Sequence, residues 1–589
     1  MPDQPGTRRR ACPAEATIPS SRRRACLAEA TIPSSRRRAK AVFVVLTLLF
    51  SGIIFRLYDL QIAGHESYRR VREDQSRGVI DQRRPRGTIY DSRGDALAIS
   101  VPVASVSAAP SRVTDLQDAA SRLAPVLSMR PDELLKLLGK TRTGSDGATR
   151  PADFVWIRRH VSAEVAAAVR KLKLPGIGLA PEFDRSYPQG KLLAHVLGLS
   201  DIDDRGGEGL ERRLESTLAG NRSREEVDVD GRRRTLEFPD FASAGCDVYL
   251  TIDAQFQRVV EDALDAACER HRPSWAVAVA MDPRTGALLA LANRPVYDPN
   301  RPGPGPALRN LAVASPYEPG STWKVFTVAG ALEAGVVTPS TVFDCEMGSW
   351  RYGARVLHDH DPFGRLSVTG IVVESSNIGV AKVGIKLGPK RLWQAADAFG
   401  FGRKTGVDLP SESRGMLHPL GRWNSFSITS VPMGHEISVT PLQLAVAFSA
   451  IANGGSVLRP YVVDRVVGPD GALKHRAEPK VERRAVSERV AADLRKMLRE
   501  VVKGGTGTKA EVEGLEVAGK TGTTQKVDPA TRRYSHRLYT SSFVGFAPAE
   551  GARICVAVII DEPQGEYYGG AVAAPVVAEI LKNGMKFVR

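Results

Sequence analysis

The chain has 589 residues, 42% hydrophobic and 25% charged, which gives room for about two to four folded units and at least one large core, and excludes general disorder or a small disulfide-stapled scaffold. Lysine plus arginine (82) exceeds aspartate plus glutamate (66) by 16, and residues 1–40 alone carry +7 of that excess. No basic helix with interleaved aromatics occurs, which argues against a nucleic-acid partner and directs the N-terminal charge at a membrane surface.

The first 39 residues hold a duplication with a period of 14: R-R-R-A-C-P-A-E-A-T-I-P-S-S from Arg8, R-R-R-A-C-L-A-E-A-T-I-P-S-S from Arg22, and R-R-R-A again from Arg36. Two copies are too few for a solenoid and Pro13, Pro19 and Pro33 interrupt any helix, so residues 1–40 read as a disordered basic tail. The repeat is either replication slippage without function or a set of arginine clusters for anionic lipid, each charge contributing about 1 kcal/mol. Ala41 to Phe55 then carries no charge, between Lys40 and Arg56. Snorkelling of those two residues extends the span to residues 39–58, and no small-x-small cleavage site follows, so residues 41–58 read as an uncleaved signal-anchor helix. Ten basic residues precede it, which places the N-terminus in the cytoplasm and everything after Arg56 outside.

Residues 65–240 read as a mixed, charged pedestal with Gly-rich turns, among them R-G-T-I-Y-D-S-R-G-D at Arg86 to Asp95 and G-G-E-G-L-E at Gly206 to Glu211; these look like turns and salt-bridge positions. A boundary is expected at the strand-like run Gly245 to Asp253, followed by a helix, and residues 246–589 form the last domain. Trp275 to Asn293 reads as two apolar strands across a Pro/Gly turn, and a similar pair lies at Ser541 to Ala547 and Ile554 to Pro563. Hairpins at both ends with helical segments between predict an α+β domain around one antiparallel sheet with helices packed on it. The cysteines, Cys12, Cys26, Cys246, Cys268, Cys345 and Cys555, include no C-x-x-C pair and have no histidines at zinc spacing. Whether Cys246 and Cys268 are bridged stays open. His358-Asp359-His360 could suggest a metal, but three adjacent residues point different ways in most backbones.

Ser321-Thr322-Trp323-Lys324 follows a Pro-Gly stop and opens a helix at about Ser321. Positions i and i+3 share a helix face, so the amine of Lys324 can meet the hydroxyl of Ser321 and take its proton, while the helix N-terminus favours oxyanion character. Alone, S-x-x-K ordinarily marks a solvated helix face. Ser375-Ser376-Asn377 follows 54 residues later and Lys520-Thr521-Gly522-Thr523 another 145 later. Singly these are a cap or turn and a strand end. Together they form the S-x-x-K, S-x-N, K-T-G set of penicillin-binding proteins and serine β-lactamases.

With its surroundings, including R-N-L-A-V-A-S-P-Y-E-P-G-S-T-W-K, M-D-P-R-T-G-A-L-L-A-L-A-N, G-H-E-I-S-V-T-P-L-Q-L and Y-Y-G-G-A-V-A-A-P-V, the chain resembles a class B penicillin-binding protein over nearly everything after Arg56. It is most similar to the division-specific septal transpeptidases, the FtsI family, because R-G-T-I-Y-D-S-R-G-D-A-L-A-I-S-V-P-V resembles that branch's dimerisation-type module. The resemblance implies a single-pass inner-membrane enzyme that cross-links peptidoglycan at the division septum and binds β-lactam antibiotics covalently. It implies that Ser321 attacks the D-alanyl-D-alanine carbonyl of one stem peptide, expels D-alanine and passes the acyl group to an amine on a neighbouring strand. Lys324 would be general base. Ser375 and Asn377 would complete the proton relay and hold the donor, and Lys520 would line the site from the sheet edge. Thr521 and Thr523 would bind the donor carboxylate, and the N–H groups of Ser321 and Thr523 would form the oxyanion hole. Gly522 would leave room for a peptide along the strand edge, and Thr524 to Thr540 would loop beside the acceptor. No metal or organic cofactor is required. A SEDS-type glycosyltransferase (FtsW-like) and divisome membrane proteins are the implied partners, because no second motif set exists here to build glycan strands.

The chain departs from the family's pattern in three places. Trp323 stands where Phe or Met is common, Arg93 falls one position later than in D-R-x-G, and the duplicated tail is no family feature. Water as acceptor would give D,D-carboxypeptidase activity with the same residues. The alternatives are an elongation-specific transpeptidase, a β-lactam sensor or β-lactamase, and an inactive divisome scaffold.

Overall fold

The computed structural model describes residues 33–63, 77–82, 84–144, 147–219, 223–228, 244–303, 308–528, 531 and 533–588. They fall into two compact units, residues 1–80 with 226–239, and residues 81–225 with 240–589. Of the tail, residues 1–32 lie outside the described residues, while residues 33–40, expected to be disordered with Pro33 breaking any helix, are helical, because a proline in the first turn of a helix gives up only an N–H that has no partner there. Helix α1 (Pro33–Tyr58) belongs to the first unit. The helical stretch Arg38–Ala63, whose apolar run from Ala41 to Phe55 is open to the outside, is 26 residues long. At 1.5 Å per residue it measures about 39 Å, more than the roughly 30 Å hydrocarbon core of a bilayer.

The second unit begins with β1 (Ile89–Tyr90), β2 (Ala96–Ala108), α2 (Leu116–Leu127), α3 (Pro131–Leu138), β3 (Val155–Val161), α4 (Ala163–Leu172) and β4 (Ile177–Ser186). Helix α2 starts where the Asp115 carboxylate accepts the N–H groups of Gln117 and Asp118. Its Leu123 and Leu127 pack with Leu134 and Leu138 of α3 and Ile157 of β3. The two Gly-rich segments singled out in the sequence meet here. Arg86 and Arg185 both donate to the fully buried Glu211, at 2.8 and 2.6 Å, and Arg86 also reaches Glu215 at 2.8 Å. Buried charges are tolerated only when paired in this way. The D-S-R-G departure keeps its turn: Gly94, at φ +95°, donates to the Asp91 carbonyl at 3.2 Å, and Arg93 pairs with Asp253.

The chain continues through β5 (Asp247–Leu250), α5 (Ala254–His271), β6 (Trp275–Met281), β7 (Leu288–Arg294), α6 (Lys324–Glu333), α7 (Asn377–Leu387), α8 (Pro441–Ala452), β8 (Val463–Val467), β9 (Leu473–Arg476), α9 (Glu488–Gly504), β10 (Ala518–Val527), β11 (Tyr534–Ala547), β12 (Ile554–Asp561) and α10 (Ala574–Gly584). The strand expected to mark a boundary, β5, pairs in parallel with β1 and antiparallel with β8. One sheet of order β9-β8-β5-β1-β2-β3, with β4 also on β2, therefore runs through both parts of this unit. Val248 and Leu250 are fully buried, and the backbone N–H and C=O groups of this buried strand find partners in the strands on either side.

The predicted antiparallel sheet is present, with order β7-β6-β12-β11-β10. Along β6, Ala276, Ala278 and Ala280 face one core with Phe256, Leu264 and Ile580, while Val277, Val279 and Met281 face a second with Phe448 and Phe326. Both faces are buried, so the strand reads as a continuous apolar run rather than an alternation. Helices α5 and α10 cover one face and the fully buried α8 the other. Cys246, Cys268, Cys345 and Cys555 are all free thiols, so Cys246 and Cys268 are not bridged.

Candidate active site

Ser321 lies in a single 3-10 turn, Gly320–Trp323, that runs directly into α6, so the α-helix proper starts at Lys324, three residues later than the sequence spacing suggests. Gly320 has φ +55°, and a Cβ there would stand 2.0 Å from the Thr524 hydroxyl of β10. The Ser321 turn is thus pressed against the edge strand carrying K-T-G-T. Gly522 serves the same contact. A Cβ on it would meet Ser542 Oγ at 2.3 Å, Thr322 Cγ2 at 2.9 Å and the Pro319 carbonyl at 3.1 Å. Glycine is required at 522 by packing behind the strand, rather than by a peptide in front of it. Trp323 is buried against Phe326 and Phe401, with centroids 5.5 and 4.6 Å away, and fixes the turn from beneath.

A cleft of about 610 Å³ opens between these elements, lined by Ser321, Ser375, Asn377, Thr521 and Thr523. Lys324 and Lys520 are buried under it. Lys324 Nζ donates to Asn377 Oδ1 at 2.7 Å, to Ser375 Oγ at 3.2 Å and to the Ser375 carbonyl. Among the described residues Ser321 Oγ has no hydrogen-bond partner, so the amine is directed at the S-S-N segment rather than at the hydroxyl one turn before it. Burial pushes Lys324 down to about 7, partly opposed by the nearby Asp359 carboxylate. Lys520 is also pushed well down by burial, and then by the proximity of Lys324. Its Nζ lies 3.2 Å from Thr521 Oγ1, so it sits beneath the wall that it was expected to line. Thr521 shares its hydroxyl with Thr506 at 2.9 Å, and Thr523 Oγ1 accepts from the Gly569 N–H at 2.9 Å.

The S-S-N segment is a turn leading into α7, with Ser375 at φ +59°, a left-handed conformation costly for a residue with a Cβ. Ser376 caps α7 by accepting the Gly379 N–H at 2.9 Å. Sequence reasoning missed the residue that braces this turn. Asp359 accepts from Ser376 Oγ at 2.7 Å, from the Ile378 N–H at 3.0 Å and from the Asn377 N–H. The sequence signal for it is the H-D-H cluster, whose middle residue caps a helix.

Thr524 to Thr540 is mostly hairpin rather than loop, because β10 extends to Val527, which pairs with Tyr534 at the start of β11. Lys526 clamps it to Asp561 and Glu562, both at 2.6 Å. Tyr534 donates to Glu318 at 3.0 Å, and His435 Nδ1 lies 3.1 Å from the same carboxylate.

Residues 276–582 match the penicillin binding protein transpeptidase domain, and residues 81–250 match the penicillin-binding protein dimerisation domain. The chain is 32% identical over 551 residues to peptidoglycan D,D-transpeptidase FtsI of Escherichia coli K12, covering 91% of this chain and 89% of that one. It is 33% identical over 566 residues to stage V sporulation protein D of Bacillus subtilis, covering 92% and 85%. The crystal structure of penicillin binding protein 3 from Mycobacterium tuberculosis complexed with aztreonam superimposes with a TM-score of 0.65 at 28% identity, over 86% of this chain and 96% of that one. On the strength of both domain matches and of relatives aligned along nearly its whole length, the chain belongs to the class B penicillin-binding proteins.

Proposed function

We propose that this protein is a serine D,D-transpeptidase that cross-links peptidoglycan stem peptides through an acyl-enzyme on Ser321 and takes β-lactams at the same hydroxyl. The observation that carries the reading is the buried amine of Lys324, three hydrogen bonds deep in the S-S-N turn, beneath the cleft that holds Ser321 and the 521–523 strand. A neutral amine has two N–H groups and one lone pair. The Ser375 carbonyl and Asn377 Oδ1 can only accept, so they take the N–H groups and leave the lone pair for a hydroxyl. Either Ser321 directly, or Ser321 through Ser375, then gives up its proton as the oxygen attacks the carbonyl carbon. The proton goes on to the departing D-alanine amine; in the second half the acceptor amine attacks the ester, its proton returns through Lys324 to the Ser321 oxygen, and the acyl–oxygen bond breaks as the new amide forms. Ser321 and Thr523 supply oxyanion-hole N–H groups, and the hydroxyls of Thr521 and Thr523 take the donor carboxylate.

The finer reading is septal. Residues 41–58 anchor the chain in the inner membrane with the basic tail in the cytoplasm, residues 65–240 form the pedestal, and residues 246–589 act outside the membrane. The S-V-P-V run at 100–103 favours division over elongation, and an FtsW-like glycosyltransferase within the divisome supplies the glycan strands. Fluorescent penicillin is expected to label the wild type and not Ser321→Ala; a labelled alanine variant removes the nucleophile assignment, and an unlabelled wild type favours a scaffold. A fluorescent fusion is expected at midcell, and a sidewall pattern would move the assignment to elongation.

A further inference from the structure

We infer that Asp359 is a positioning residue for the reactive centre: its carboxylate braces the S-S-N turn so that Ser375 and Asn377 present their oxygens to Lys324. This rests on the roles proposed above for Ser321 and Lys324. Three donors converge on the one carboxylate, two of them backbone N–H groups in the first turn of α7. Such groups have no partner inside the helix, and a negative charge at a helix N-terminus is favourable. Ser376 is used twice, since its oxygen accepts from Gly379 while its proton goes to Asp359. The helix cap is therefore two side chains deep, and Asp359 is the outer one.

The adjoining backbone sets the amide of Asn377. Asn377 Nδ2 donates to the His358 carbonyl at 2.8 Å, which turns Oδ1 toward Lys324 at 2.7 Å. The flipped amide would set its NH₂ against an amine that also donates. His358 ends a strand, Arg355–His358, paired in register with Ser349–Tyr352. That hairpin thus carries the brace and the amide stop on adjacent residues. It also explains how Ser375 persists at φ +59°, because a strained turn survives only where its surroundings determine it from both ends. Electrostatically, Lys324 is faced by Asp359 and by Lys520, with Glu374 acting on Lys520, so Asp359 supplies the charge that opposes burial at the amine.

The test is the second-order rate of acylation of the full-length, detergent-solubilised protein by fluorescent penicillin, from pH 5 to 9, with melting temperature recorded for each variant. Asp359→Asn keeps shape and loses charge. It is expected to acylate about tenfold or more slowly, with the acid limb of its pH profile moved to lower pH, because the amine loses its proton more readily without the carboxylate. Asp359→Ala is expected to be slower still. Asp359→Glu is expected to recover part of the rate and to return the acid limb to the wild-type position, which a merely structural residue would not do. Acylation by Asp359→Asn within about twofold of wild type at every pH overturns the inference alone. So does a loss of rate that matches the loss of folded protein, or a slower rate with the acid limb unmoved in all three variants. Failure of the wild type to label overturns the proposed function and this inference with it.

Discussion

One wall of the cleft is a strand and the other is a turn, and they are held by different physics. The strand β10 takes its position from main-chain pairing with β11 along almost its whole length and from buried neighbours behind it. The S-S-N turn belongs to no strand. It is placed by one left-handed residue, by the caps of α7, and by a carboxylate from a hairpin about 17 residues upstream. A wall made by register resists single side-chain changes, except where backbone approaches backbone. A wall made of side-chain hydrogen bonds is tuned by every member of the network.

The comparison breaks most sharply at the buried amine beneath the cleft. Lys324→Met is expected to lower the rate of penicillin acylation by about 10²- to 10⁴-fold while leaving the protein folded; acylation within tenfold of wild type would take the general base away from Lys324. The wild-type rate should follow the charge on the same amine. Burial lowers Lys324 to about 7, so its proton is lost as pH rises through that value. Acylation should climb about tenfold per pH unit below it and level off above. A profile flat from pH 5 to 9 would contradict this.

The strand wall should fail at its glycine. Gly522→Ala would drive a methyl group into Ser542 and Thr322, at an expected cost of about 1–3 kcal/mol read as a lower melting temperature, together with slower acylation as the Ser321 turn is pushed off. An unchanged melting temperature would mean that the contact yields freely. The smallest effect is on the turn. Ser375→Gly and Ser375→Ala both remove the hydroxyl, but only glycine accepts φ +59° without strain. The glycine variant should therefore be more stable than the alanine variant by about 1 kcal/mol in denaturant unfolding. Equal stability would show that the turn stores no strain.

Much of this was legible in the chain itself, for local reasons. The five-stranded sheet announced itself through two apolar hairpins near the ends of the domain. The three motifs were legible because each is a contiguous run. The brace was not, since Asp359 meets Ser376 only after a hairpin has turned back on itself. Nor was the link from Tyr534 to Glu318, residues 216 apart in the chain. At Gly522 the residue type was right and the reason wrong: an edge strand looks open in sequence, and only packing reveals what lies behind it. Ser321 and Lys324 sit at the expected spacing, yet the amine turns to the other motif, because acceptors of fixed geometry outbid a hydroxyl that can rotate.

The sequence by itself determined the membrane-length helix, the class of domain and the short runs that carry chemistry, since these follow from apolar length, periodicity and neighbouring residues along the chain. Tertiary structure decided which groups face the cleft and which lie under it, which hydroxyl the buried amine addresses, and how far its proton affinity falls. Those properties arise from water being removed around Lys324 and from partners brought together across many tens of residues, and neither exists until the fold has closed.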